Sequence, residues 1–286
     1  MRRFLPFVPA LVLLASPALA GWTMTQVISS SGGHGAGAGD MTQKLWADGS
    51  SAKIEFEATD NPILKKGTYL LMQDGGAKVF LVNPAEKTYS RFDLDAMGAG
   101  LDAMAGSGFE MKIENPKMEK LSEEKGETML GYPTTHYRYH TTYTVSISMP
   151  MGMKTSMATD STEDVWTTTA IDLGTLGKSM SKLGGGAMMK EISKLSEMEK
   201  SKATGLPLKR VVVSLTKSTG TGMMAKMMGG GGDSATTVTT EVKEAAETSV
   251  PAATFQIPAG YTETEMMQRG PGMPNMNEGR PKPPGR

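Results

Sequence analysis

Twenty-five methionines and no cysteine concentrate the soft chemistry of this 286-residue chain in thioether sulfur. Ser148 to Met153 contains a Met-x-Met-x-Met run, Met149, Met151 and Met153. On an extended strand, side chains two residues apart lie ~6.6 Å apart on one face, within reach of a shared Cu(I) ion. The competing reading is that these methionines only continue an apolar stripe, and their alternation with polar residues favours it. A second group, Met223, Met224, Met227 and Met228, lies between Gly220 and Gly222 on one side and Gly229 to Gly232 on the other. In one helical turn those four thioethers cluster, as an adaptable apolar lip or a metal site. An unstructured loop explains the same residues equally well.

Catalytic chemistry finds little here. There is no thiol, no Gly-x-Ser-x-Gly elbow, no His-Glu-x-x-His and no phosphate-binding glycine loop. The three histidines are His34, His136 and His140. The last two share a strand face but sit ~13 Å apart at four residues' rise, too far for one ion. The acidic pairs Glu123-Glu124 and Glu163-Asp164 read as solvated charges. These residues imply a protein that is not an enzyme.

The elements that position these groups are mostly strands. Short runs with period-two alternation recur between turn residues: 22–30, 41–47, 52–58, 67–73, 77–82, 88–93, 111–121, 155–169, 208–217 and 236–243. The strongest alternation places Tyr137, Tyr139, Tyr143, Val145, Ile147, Met149, Met151 and Met153 at odd positions, interrupted by Thr141. His136, Arg138, His140, Thr142, Thr144, Ser146 and Ser148 take the even ones, so one face is apolar and the other polar.

Two short runs break this period. Leu176, Met180 and Leu183, then Met188, Ile192 and Leu195, have helical spacing, which predicts a helical insertion over about 174–202. The expected fold is therefore α+β, a large curved antiparallel sheet forming an incomplete barrel, with the insertion covering one face. One domain spans 21–261, with a Met- and Gly-rich loop at 220–232. Residues 262–286, rich in Pro and Gly, read as a disordered tail that can meet an envelope protein.

Met1 to Ala20 has the form of an export signal: Arg2 and Arg3, an apolar stretch, then Ala18-Leu19-Ala20 before Gly21. Pro6 and Pro9 interrupt it, and it is shorter than the ~20 apolar residues of a membrane span, so no stable anchor is expected. Cleavage near Ala20 would deliver the protein to the periplasm or outside the cell. The remaining chain has no basic block, which argues against a nucleic-acid partner.

Five segments carry a resemblance: KVFLVNPAEKTYSRF (78–92), GYPTTHYRY (131–139), VWTTTAIDLG (165–174), GLPLKRVVV (205–213) and FQIPAGY (255–261). In these the chain resembles a family of exported bacterial proteins known as a domain of unknown function and, more remotely, the periplasmic lipoprotein carriers and lipid-binding lipoproteins. The resemblance implies an incomplete barrel whose concave face holds acyl chains. The Met-rich insertions and the absence of a lipid-attachment cysteine depart from it. The residues and the resemblance together point to a lipid, acyl chain or other apolar ligand. It would lie against Tyr137, Tyr139, Tyr143, Val145, Ile147 and Met149, lipped by Met188, Met189 and the Met223 to Met228 group, with no cofactor. Cu(I) at Met149, Met151 and Met153 is the alternative.

Overall fold

The computed structural model describes residues 20–32, 40–60, 64–92, 110–148, 154–173, 203–220 and 233–264. Twelve strands in these residues join into one sheet. They are β1 (Ala20–Ser31), β2 (Met41–Asp48), β3 (Ser51–Thr59), β4 (Tyr69–Gln73), β5 (Lys78–Asn83), β6 (Thr88–Phe92), β7 (Glu110–Lys125), β8 (Thr135–Ser148), β9 (Lys154–Thr168), β10 (Leu206–Gly220), β11 (Asp233–Ser249) and β12 (Thr262–Glu263). Their spatial order is β12-β6-β5-β4-β3-β2-β1-β11-β10-β9-β8-β7.

Sequence neighbours are also spatial neighbours through two meanders, β1 to β6 and β7 to β11. The antiparallel β1–β11 ladder, from Ala20 opposite Ser249 to Ser31 opposite Thr237, joins them. Turn chemistry makes the local hairpins cheap to form. Gly49, at φ +50, turns β2 into β3, and Gly75 and Gly76, both at positive φ, turn β4 into β5.

This sheet corrects the α+β expectation. Among the described residues the longest helical piece is the four-residue 3-10 turn Ala252–Phe255, so the described fold is all-β. The expected helices near 176–183 and 188–200 lie outside the described residues. The reason is one of weight: two short runs of three apolar residues at helical spacing are little beside twelve strands, and fold class follows the elements that bury most surface. A second correction concerns β7. The alternating run expected to end at residue 121 goes on, and Ser122 to Lys125 continue the ladder opposite Arg138 to Thr135.

The β1–β6 half is buried on both faces. On one, Tyr69, Leu71, Phe80 and Val82 pack against Val250 and Phe255 from the segment after β11. On the other, Met24, Leu208 and Val242 pack with Ile171, while Ala47, Ala52 and Met72 form an adjoining cluster. Leu173 touches both of these clusters. Two-sided burial explains why Tyr69-Leu70-Leu71-Met72 lacks polar alternation.

The outer strand β7 is a sixteen-residue edge. Its ladder to β8 slips between Glu114 and Lys117 and again between Lys120 and Ser122, and Asn115 adopts φ +50 just before Pro116. Bulges, a proline and nine charged side chains make this edge a poor template for another strand.

Candidate functional site

Register fixes which side chains share a face in the β7–β11 half. One face, here the tyrosine face, carries Tyr137, Tyr139, Thr141, Tyr143, Val145 and Ile147 of β8. Opposite them on β9 stand Val165, Glu163, Ser161, Thr159, Met157 and Thr155. The same face continues through Arg210 and Val212 of β10, Thr240 and Val238 of β11, and Ile28 and Ser30 of β1.

Burial separates this face from its reverse. On β10 the even positions from Val212 to Ser218 are half-buried, while Val213, Leu215, Lys217 and Thr219 between them are exposed. Tyr139 is 1% exposed, Tyr137 7% and Ile147 6%, whereas Tyr143 and Val145 are half-buried. Tyr137 and Tyr139 stack with ring centroids 6.1 Å apart and pack with Val165, Met118 and Ala203. Burial, then the neighbouring Tyr137, Glu123 and Glu163, pushes the Tyr139 phenol up to about 12, so it stays a neutral hydroxyl.

Glu163 breaks the apolar pattern. It lies inside β9 on the tyrosine face, 5% exposed, and accepts a 2.6 Å hydrogen bond from the Arg210 Nε–H. The expectation of a solvated Glu163-Asp164 pair fails for both residues, because neighbouring strands supply partners that local sequence does not display. The signal that could have found Glu163 is its odd position, in phase with Val165 and Ser161 on β9, whose burial is likewise high. Two further polar groups on this face, the hydroxyls of Ser30 and Thr141, are buried and have no hydrogen-bond partner among the described residues.

The reverse is the histidine face. His136 lies flat on Trp166, with centroids 4.3 Å apart and 10° between planes, and Lys209 sits 5.1 Å from the centre of that indole. Its Nδ1 is 3.1 Å from Glu124 and its Nε2 2.8 Å from Asp164, so a ring protonated on both nitrogens donates to both carboxylates. Arg138 grips Asp164 with two bonds, Nε–H at 2.9 Å and a terminal N–H at 3.0 Å. His140 is 2.9 Å from Asp160. Both histidines are thus held by carboxylates, and among the described residues no set of three or more His, Cys, Asp or Glu is arranged to hold a metal ion.

Partial burial pushes Asp164 up, but the hydrogen bonds from Arg138 and His136 outweigh it and leave its carboxyl below the ordinary value. Its contribution to stability is therefore present above the unfolded carboxylate range, about pH 4, and is lost as pH falls through the lowered value. Asp164→Asn should unfold at lower urea than wild type near neutral pH. That gap should close progressively below about pH 4, as equilibrium denaturation at a series of pH values would record.

A groove of about 370 Å³ runs along this face past Lys117, Thr142, Asp160, Leu215 and Lys217. It is open to solvent, and most of the side chains along it are polar.

Of the apolar site expected from the sequence, the sheet brings Tyr137, Tyr139, Tyr143, Val145 and Ile147 onto one face. Met149, Met151, Met153, Met188, Met189, Met223, Met224, Met227 and Met228 lie outside the described residues, as does His34. No described helix is long and apolar enough to cross a membrane.

No protein-family model matches the chain, and no curated protein matches it. Among solved structures it is similar to PNGF-II, determined in a C2 space group, at 13% identity and a TM-score of 0.29. That match covers 86% of this chain and 31% of PNGF-II, so the chain spans about a third of that protein's length, and a likeness at this score carries no argument about fold or function.

Proposed function

We propose that this chain is an exported, non-enzymatic binding protein that holds a lipid, an acyl chain or another apolar molecule against the tyrosine face. The observation that supports the reading is a set of half-buried apolar side chains on that face, drawn from five strands. Val145 and Met157 stand opposite each other on β8 and β9, Val212, Val238 and Ile28 form a second group on β10, β11 and β1, and none of the five is sealed in a cluster or fully exposed. An apolar wall of this kind binds by removal of area from water, at roughly 25 cal/mol per Å², rather than by a few directed bonds. The described tyrosines at one end pack too closely to admit a chain, so the ligand lies toward Val145 and Met157.

A neutral environment-sensitive dye, N-phenyl-1-naphthylamine, tests the wall without a head group. Wild type should enhance its fluorescence saturably. Val145→Lys, a half-buried position where a long stem can snorkel without unfolding the strand, should weaken uptake by about tenfold with an unchanged far-UV spectrum. Equal uptake by both proteins, or none by wild type, sinks the reading.

A further inference from the structure

The outermost strand of an open sheet presents a row of backbone N–H and C=O groups that can template another chain. The β7 end is protected by its own bulges, Pro116 and charges. The opposite end is built differently. β6, Thr-Tyr-Ser-Arg-Phe, has one charged residue, no proline and no slip in its ladder to β5, so left bare it would be a regular and nearly neutral edge.

Lying along it is β12, at the start of the Pro- and Gly-rich tail. This is the one parallel pairing among the described strands, and it sets Thr262 opposite Thr88 and Glu263 opposite Tyr89. The Thr262 N–H donates to the Lys87 carbonyl at 3.0 Å and the Thr264 N–H to the Tyr89 carbonyl at 2.8 Å. The Ser90 and Thr264 hydroxyls meet at 3.0 Å, and the Tyr89 hydroxyl donates to Glu263 at 3.4 Å. Just before it, Ile257 and Tyr261 pack against the buried cluster of Tyr69, Leu71, Phe80 and Val82, which brings the tail to this edge.

So short a strand does little for the core. Thr262 and Glu263 are both exposed, and parallel pairing is slightly weaker per residue than antiparallel. What it covers explains it better. The N–H and C=O of one strand residue point to the same side, and the side alternates along the chain. The carbonyls of Lys87 and Tyr89 face the tail, so the N–H and C=O of Arg91 face the same way.

We propose that β12 is an edge guard, and that the surface it covers fits the β6 edge of a second copy of this chain. Every copy carries the same row of groups. Two β6 strands related by a two-fold axis run antiparallel, the sense of every other ladder among the described strands. The bulged and charged β7 edge offers no comparable match. The guard therefore keeps separate two sheets that would otherwise join end to end.

Thr262→Pro/Thr264→Pro in the full-length chain removes both tail donors and leaves the β5–β6 ladder untouched. Sedimentation equilibrium should show this variant self-associating at least about tenfold more tightly than wild type, with an unchanged far-UV spectrum. Adding Arg91→Pro removes an outward N–H that β6 does not use toward β5, and should return association to the wild-type level. A chain ending at Tyr261 repeats the first measurement with no proline introduced and the Tyr261 anchor kept.

Wild-type association in both guard variants overturns the proposal. Tighter association that persists with Arg91→Pro places the contact on another surface and overturns the assignment to β6. If the chain ending at Tyr261 binds a fluorescent peptide of residues 262–286 but does not self-associate, the tail fits the edge and the second copy is overturned as its rival.

Discussion

Leu208→Ala should destabilise the protein by about 2–5 kcal/mol. Leu208 is 0% exposed. It occupies the slip between Pro207 and Lys209 where β10 gains a residue relative to β9, and this turns its side chain into the cluster of Met24, Ile171 and Val242. Strands from both meanders and the segment after β9 meet on that one side chain, so the cavity left by alanine cannot close by moving a single element. Five residues along the same strand, Val213 is 49% exposed on the histidine face, and Val213→Ala should change stability by no more than about 0.5 kcal/mol. Urea denaturation of the two variants against wild type measures the contrast. Similar losses for both would show that β10 is not seated as described.

Gly205→Ala comes next, with an expected loss of about 2–4 kcal/mol from two additive causes. The backbone at Gly205 has φ +98, a region L-residues rarely enter, and a Cβ there would sit 2.5 Å from the Thr168 carbonyl oxygen. That oxygen belongs to the backbone at the end of β9, so it cannot swing aside as a flexible side chain would. The neighbouring bond from the Thr167 hydroxyl to the Thr204 carbonyl, 2.7 Å, holds the two segments at this spacing. Gly131 provides the control: its φ is +83, yet a Cβ at that position would meet nothing within 4 Å. Gly131→Ala should therefore carry only the conformational strain, about 1–2 kcal/mol. Thermal melts of the two variants separate strain from collision.

Much of the strand content was legible because it is a local property. The β8 alternation from Tyr137 to Ile147 and the turns at Asp48-Gly49 and Asp74-Gly75-Gly76 need only near neighbours in sequence to specify a pleat and a hairpin. The α+β assignment failed where a local period was allowed to outvote the global count of strands. The extension of β7 through Ser122 to Lys125 was missed because a run of charged residues there resembles a turn. Its ladder to β8 depends instead on a partner strand ten or more residues away.

Glu163, Asp164 and Arg210 mark the limit more sharply. As letters, Glu163-Asp164 is a hydrophilic dipeptide. In the sheet the two side chains point to opposite faces, one to an arginine on β10 and the other to a histidine and an arginine on β8.

The amino-acid order alone determined that this chain would alternate, turn and pair, because period-two spacing and glycine at positive φ act over a few residues. Which strands became neighbours was decided only in three dimensions. The β1–β11 ladder joins residues more than two hundred positions apart, and closing so long a loop is driven by the total surface buried rather than by any local signal.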